Sequence, residues 1–233
     1  MSFTMCINNR LASPKRHLVW LTLFAIAMAQ VEASLVAHLR TIYYPNNPQA
    51  LFPLSILSQR DLGIEIIREL ATVVMIGCVA LLAASGLTRV FAAFIYVFGL
   101  WDIFYYLWLK LMIDWPLSWS EWDVLFLIPW PWFGPWIAAA LIALLFVIGG
   151  GWILLQASNA RFTRATALAF VVGLLLALTA FLLPAVSLLP EGEAAFRGFQ
   201  PETFCWSCYI PGYLMMAVSL WYVARSEKTG RND

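Results

Sequence analysis

Six long apolar runs dominate the chain, at 18–39, 62–86, 88–113, 134–157, 163–186 and 207–225. Each approaches or exceeds the roughly 20 residues a helix needs to cross about 30 Å of hydrocarbon. The pattern predicts an all-α, polytopic transmembrane helical bundle of about six spans, forming a single integral membrane domain over 1–233. Between the second and third runs stands only Ser85-Gly86-Leu87-Thr88-Arg89, which forces an antiparallel hairpin. A polar loop, Tyr43-Tyr44-Pro45-Asn46-Asn47-Pro48, separates the first and second. Pro184 and Pro190 are expected to close the fifth span. Pro135 stands near the start of the fourth, where a missing N–H is harmless.

The segment from Asp114 to Phe133, DWPLSWSEWDVLFLIPWPWF, is different in kind. It carries Trp115, Trp119, Trp122, Trp130 and Trp132, and tryptophan favours the membrane–water interface. Ser118 followed three residues later by Glu121 is a capping-box pattern, and Pro129 would end the helix it starts. A short interfacial helix of about ten residues between spans 3 and 4 is expected. Leu51 to Leu57 in the first loop is apolar enough to lie on the same surface. Both segments serve as interfacial anchors or as a lid over a polar chamber.

Composition agrees with a membrane solvent: 62% of residues are hydrophobic and 12% charged, against about 45–50% and 25% in soluble domains. A net charge of +1 with no basic tract excludes a nucleic-acid partner that binds by phosphate neutralisation. Lys and Arg placement predicts the orientation. With a cytoplasmic N-terminus, Arg10, Lys15, Arg16, Arg89, Arg161, Arg164, Arg225, Lys228 and Arg231 all fall inside, nine of fourteen basic residues. Both termini are then cytoplasmic. A second reading of the start is a cleaved signal peptide, with Ala27-Met28-Ala29 as the small-residue site; the apolar run, however, continues past it.

The charges that interrupt the apolar runs are the candidate chemistry. Ile64 to Val74, IEIIRELATVV, holds Glu65, Arg68 and Glu69 at i, i+3, i+4, one helical face. Glu32 lies in the first run; Asp102 and Lys110 lie in the third. Intramembrane charges are costly and mark bundle interiors or wet cavities. All of these fall in the outer half or near the midplane. With the hairpin turn near 87–88, Glu65 is expected level with Lys110 and Glu69 level with Tyr106. Asp102, Tyr106 and Lys110 are spaced i, i+4, i+8, with Tyr105 beside them. The expected site is therefore Glu69 and Asp102 as acid/base candidates, with Glu32, Arg40, Glu65, Arg68, Tyr105, Tyr106, Lys110 and Asp123 binding ligand. The competing reading is a set of structural ion pairs that fix helix register. Carboxylates in excess over cations favour a shared proton, a bound cation or a raised pKa.

Other chemistry is thinner. Cys205-Trp206-Ser207-Cys208 is a C-x-x-C at the outer start of the last span, a disulfide candidate or a redox pair without a second pair to relay electrons. His17 and His38, at opposite ends of one span, cannot supply bis-histidine haem ligation, and no Glu-x-x-His is present. Neither a metal nor a cofactor is indicated. Gly149-Gly150-Gly151 reads as close helix packing rather than phosphate binding. Spans 4–6 are almost purely apolar, a scaffold or an interface for a membrane-protein partner.

Four strings, EASLVAHLRTIYYP (32–45), RELATVVM (68–75), FGLWDIFYYLWLK (98–110) and WDVLFLIPWPWFGP (122–135), resemble an uncharacterised family of bacterial multi-pass membrane proteins. The resemblance covers about the first 140 residues. It implies a bacterial inner membrane and brings no activity, cofactor or catalytic residue. Three function classes stay open: a membrane-embedded enzyme or binding protein for a small or lipidic ligand, a proton- or cation-coupled permease, and an accessory or assembly subunit of a membrane complex.

Overall fold

The computed structural model describes residues 14–156 and 160–226; Cys6, Arg10, Lys228 and Arg231 lie outside the described residues. The long helices are α1 (Pro14–Tyr43), α2 (Gln59–Ala83), α3 (Leu87–Ile113), α4 (Trp136–Leu155), α5 (Arg164–Leu188) and α7 (Trp206–Arg225), with a short α6 (Glu193–Phe196) before the last. Among the described residues six helices are long and apolar enough to cross a membrane, so the chain is a multi-pass membrane protein of the predicted class. Gly86, at φ 81°, takes the left-handed backbone that the tight α2–α3 turn requires.

Helix α3 is the hub, packed against α1 on one side and α4 on the other, while α5 pairs with α7. Small residues let these helices approach. Ala25, Ala29 and Ala33, one turn apart on α1, are completely buried. Beside them Trp108 Nε1 donates to Ile26 O at 3.2 Å and Thr22 bonds Tyr96 at 2.8 Å. A Cβ on Gly150 would stand 2.6 Å from Ala92 O, and one on Gly212 would stand 2.5 Å from Gly173 O. The glycine run of α4 is a packing surface, as its apolar context predicts. Large residues such as Ile67, Leu82, Leu111 and Leu168 point outward, as a lipid solvent allows.

Helix α2 sits at the margin, against the edge of α3. Its buried stripe is Glu65, Glu69, Thr72, Ile76 and Ala80. The inward face is thus polar at one end and apolar at the other. At the apolar end of the bundle Arg89 donates to Gln156 O at 2.9 Å and Leu154 O at 3.3 Å, a cation satisfying the carbonyls at the α4 C-terminus. The opposite end carries all the long connections.

Two expectations are corrected. The segment between α3 and α4 contains no interfacial helix. It forms an antiparallel hairpin, β1 (Trp122–Val124) with β2 (Phe133–Pro135), in which Asp123 faces Gly134. Pro116, Pro129 and Pro131 remove N–H donors that a helix would need, while the β-branched and aromatic residues between them suit a strand. The capping-box signal was half real: Glu121 accepts Ser118 N–H at 3.2 Å, but it closes a turn. Nor does Pro184 end the fifth span, since α5 runs on to Leu188. Near a helix end, one lost backbone hydrogen bond is tolerated.

Candidate functional site

The polar end of α2 is separated from α1 and α3 by a cavity of about 570 Å³. Glu32 and Arg40 from α1, Glu65, Arg68, Glu69 and Thr72 from α2, and Trp101, Asp102, Tyr105 and Tyr106 from α3 form its polar side. Three connections form its apolar walls: Leu51 to Leu57 in the first loop, Val124 to Leu127 with Phe133 in the hairpin, and Leu189 to Phe196 before α7. These walls are joined to one another. Leu54 N donates to Phe199 O and Gly198 N to Leu54 O, both at 3.0 Å. Glu32, Glu69 and Asp102 lie ten or eleven residues from their helix ends, about 15 Å below the loops at 1.5 Å per residue.

Most of the charged groups are committed. Arg68 binds two carboxylates, Glu32 on α1 and Glu65 one turn earlier on α2, the latter at 2.7 Å from Nη2 and 2.9 Å from Nε. That fork ties the marginal helix to α1. Glu69 accepts the Leu127 N–H on both oxygens, at 3.1 and 2.9 Å. It holds the tip of the hairpin, where Pro129 and Pro131 leave no N–H for a regular ladder.

The hairpin is anchored at its root by the opposite arrangement. Asp123, the central and buried residue of β1, accepts from Arg40 Nη2 at 3.1 Å and from the Tyr106 hydroxyl at 3.3 Å. Arg40 and Asp123 are only 3% and 2% exposed. The Arg40 guanidinium also lies over the Trp115 ring, 3.9 Å from its centroid, while its Nε and Nη1 are buried with no partner among the described residues. Burial pushes the Asp123 carboxyl up to about 6, against the pull of Arg40 in the other direction. Above the cavity, Tyr44 accepts Ser55 N–H at 2.7 Å, and burial raises its hydroxyl above the usual value.

Asp102 differs from all of these. It lines the cavity but takes part in no ion pair or hydrogen bond with the described residues, where every other carboxylate on the wall has a partner. Its neighbours on α3, Trp101 and Tyr105, line the same cavity, and Phe126 packs on Trp101 with centroids 6.2 Å apart.

Of the residues expected from sequence, Glu32, Arg40, Glu65, Arg68, Glu69, Asp102, Tyr105, Tyr106 and Asp123 all line this one cavity. Lys110 does not, and Glu65 pairs with Arg68 in its place. Lys110 is half exposed, bonded to Asp114 at 2.6 Å and to Pro116 O at 3.1 Å, on a separate groove beside Trp119 and Trp136. The reason is helical geometry: eight residues at 3.6 per turn overshoot two turns by about 80°, so the Asp102–Tyr106–Lys110 line winds out of the cavity. Thr72 and Trp101 were missed. Thr72, seven residues after Glu65, falls on the same face and was legible. The wall from Leu189 to Phe196 had no signal, being remote in sequence.

Cys205 and Cys208 lie with sulfurs 2.9 Å apart as free thiols at the start of α7. Among the described residues no three His, Cys, Asp or Glu side chains converge in metal-holding geometry. The chain matches no protein-family model, no curated protein and no solved structure.

Proposed function

We propose that this multi-pass membrane protein binds a small or lipidic amphiphile in the cavity between α2 and the α1–α3 pair, from the outer face of a bacterial inner membrane. One observation carries the reading: an unpartnered carboxylate, Asp102, at the floor of a cavity of about 570 Å³ whose walls are apolar loops. That volume lies within the range of small-molecule sites, about 300–1,000 Å³. Structural ion pairing accounts for Arg40–Asp123 and for the Arg68 fork. It does not account for a carboxylate left facing open space. If the ligand is also processed, Asp102 is the acid or base, and Glu69 positions the lid through Leu127. The outward orientation is supported by the basic residues Lys15, Arg16, Arg89, Arg161, Arg164 and Arg225 at the other end of the bundle.

The test is ligand retention. Protein purified in nanodiscs and analysed by native mass spectrometry is expected to keep a defined amphiphile. Thr72→Phe, which fills the floor, and Leu57→Trp, which fills the wall, are each expected to lose it. Identical lipid profiles for all three proteins would defeat the reading. For orientation, a membrane-impermeant maleimide added to intact spheroplasts is expected to label Cys205 or Cys208; labelling only after lysis would reverse it.

A further inference from the structure

The cavity's charge accounting names the head group of its ligand. Five carboxylates, Glu32, Glu65, Glu69, Asp102 and Asp123, and two cations, Arg40 and Arg68, line the wall. Each cation is already ion-paired, and the two Arg40 nitrogens without a partner, Nε and Nη1, are closed to solvent. Arg68 is bound by Glu32 and Glu65. Arg40 is bound by Asp123, covered by Trp115 and buried. A phosphate, sulfate or carboxylate entering here would lose its hydration beside five carboxylates, and would reach no accessible cation that is not already ion-paired. Burying a charge without a partner is among the costliest events in a protein interior.

A cation meets the reverse situation. Asp102 is an acceptor without a donor. Trp101 and Tyr105, one residue before it and three after, line the same cavity, with Phe126 packed on Trp101. A carboxylate beside aromatic rings is the chemistry that recognises an ammonium group, by ion pairing and by attraction to the ring faces. The apolar walls from Leu51 to Leu57 and from Val124 to Leu127 then cover a hydrocarbon portion.

Resting on the proposed function above, we infer that the cavity selects an amphiphile with a cationic amine head, seated on Asp102, and rejects anionic head groups. The role of binding an anion, which an intramembrane Arg68 suggests at first sight, is closed by its own two carboxylates.

The experiment uses full-length protein in zwitterionic nanodiscs, with binding to empty nanodiscs subtracted. Three radiolabelled probes share one tail: dodecylammonium, dodecyl glycerol and dodecyl phosphate. Dodecylammonium is expected to saturate at one per protein, at least tenfold tighter than dodecyl phosphate. Asp102→Asn is expected to weaken it about tenfold while dodecyl glycerol changes less than twofold, and Asp102→Glu to retain it. Phosphate binding as tight as the amine, or amine binding indifferent to Asp102→Asn, would overturn the inference and leave the cavity as a ligand site. No saturable binding by any probe would overturn the inference and remove support from the ligand-site reading together.

Discussion

The two halves of this bundle solve the problem of burial in opposite ways. In α4, α5 and α7 the buried residues are small or apolar. Gly173 and Gly212 bring two backbones together, and Gly150 brings α4 onto α3. Around the cavity, α1 and α2 bury charged side chains: Glu32 and Arg40 on one, Glu65 and Glu69 on the other. These groups are satisfied one at a time, by Arg68 across helices and by the Leu127 and Asp123 positions of the hairpin. Close packing leaves no space. Satisfying charges at the edge of a marginal helix leaves about 570 Å³. The comparison teaches that the cavity follows from how α2 is held: by polar bonds at one end and by Ile76 and Ala80 at the other.

The largest expected effect comes from breaking the polar half at its most buried pair. Asp123→Ala leaves Arg40 charged and uncompensated, at a cost of about 3–5 kcal/mol. The Tm in nanodiscs should fall steeply, and Arg40→Met combined with Asp123→Leu should recover most of the loss. Recovery would say that the pair fixes the hairpin without adding net stability. A single variant as stable as the parent would say that the pair does not form.

Next comes the apolar half. Gly212→Val drives a side chain into the Gly173 backbone, and overpacking of this kind costs about 1–3 kcal/mol. It should lower the Tm and leave amphiphile affinity unchanged, because α5 and α7 hold none of the charged groups. An affinity that fell in step with stability would merge the two halves into one unit.

The smallest effect on folding sharpens the contrast most. Asp102→Asn breaks no bond within the protein, so stability should move by less than about 1 kcal/mol, the scale of a single uncharged hydrogen bond. A large loss of folded protein would return Asp102 to the structural pairs.

Much of this was legible in the chain. Six spans emerged from the apolar runs because lipid demands length and hydropathy, and both are local properties. Nine of the ten expected acid, base and ligand residues reached one cavity because charge within an apolar run has few places to go. What was hidden depended on rotation and on distance. The i, i+8 spacing of Asp102 and Lys110 looks like one stripe on paper and becomes two faces in a helix. The hairpin at 122–135 was concealed by a capping signal that serves a turn. The pairing was legible only in part: Glu65 and Arg68 stand at i, i+3, but Lys110 pairs with Asp114 instead of Glu65, and Arg68 takes Glu32, 36 residues away on another helix, instead of Glu69 or Asp102.

The most direct test is an experimental density map of the protein in lipid nanodiscs, refined around α2. The account predicts an open cleft between α2 and α3, Arg68 held between Glu32 and Glu65, and non-protein density within hydrogen-bond distance of Asp102. A closed cleft, with Arg68 swung onto Asp102 and no space between the helices, would contradict it and make these charges a means of holding helices together.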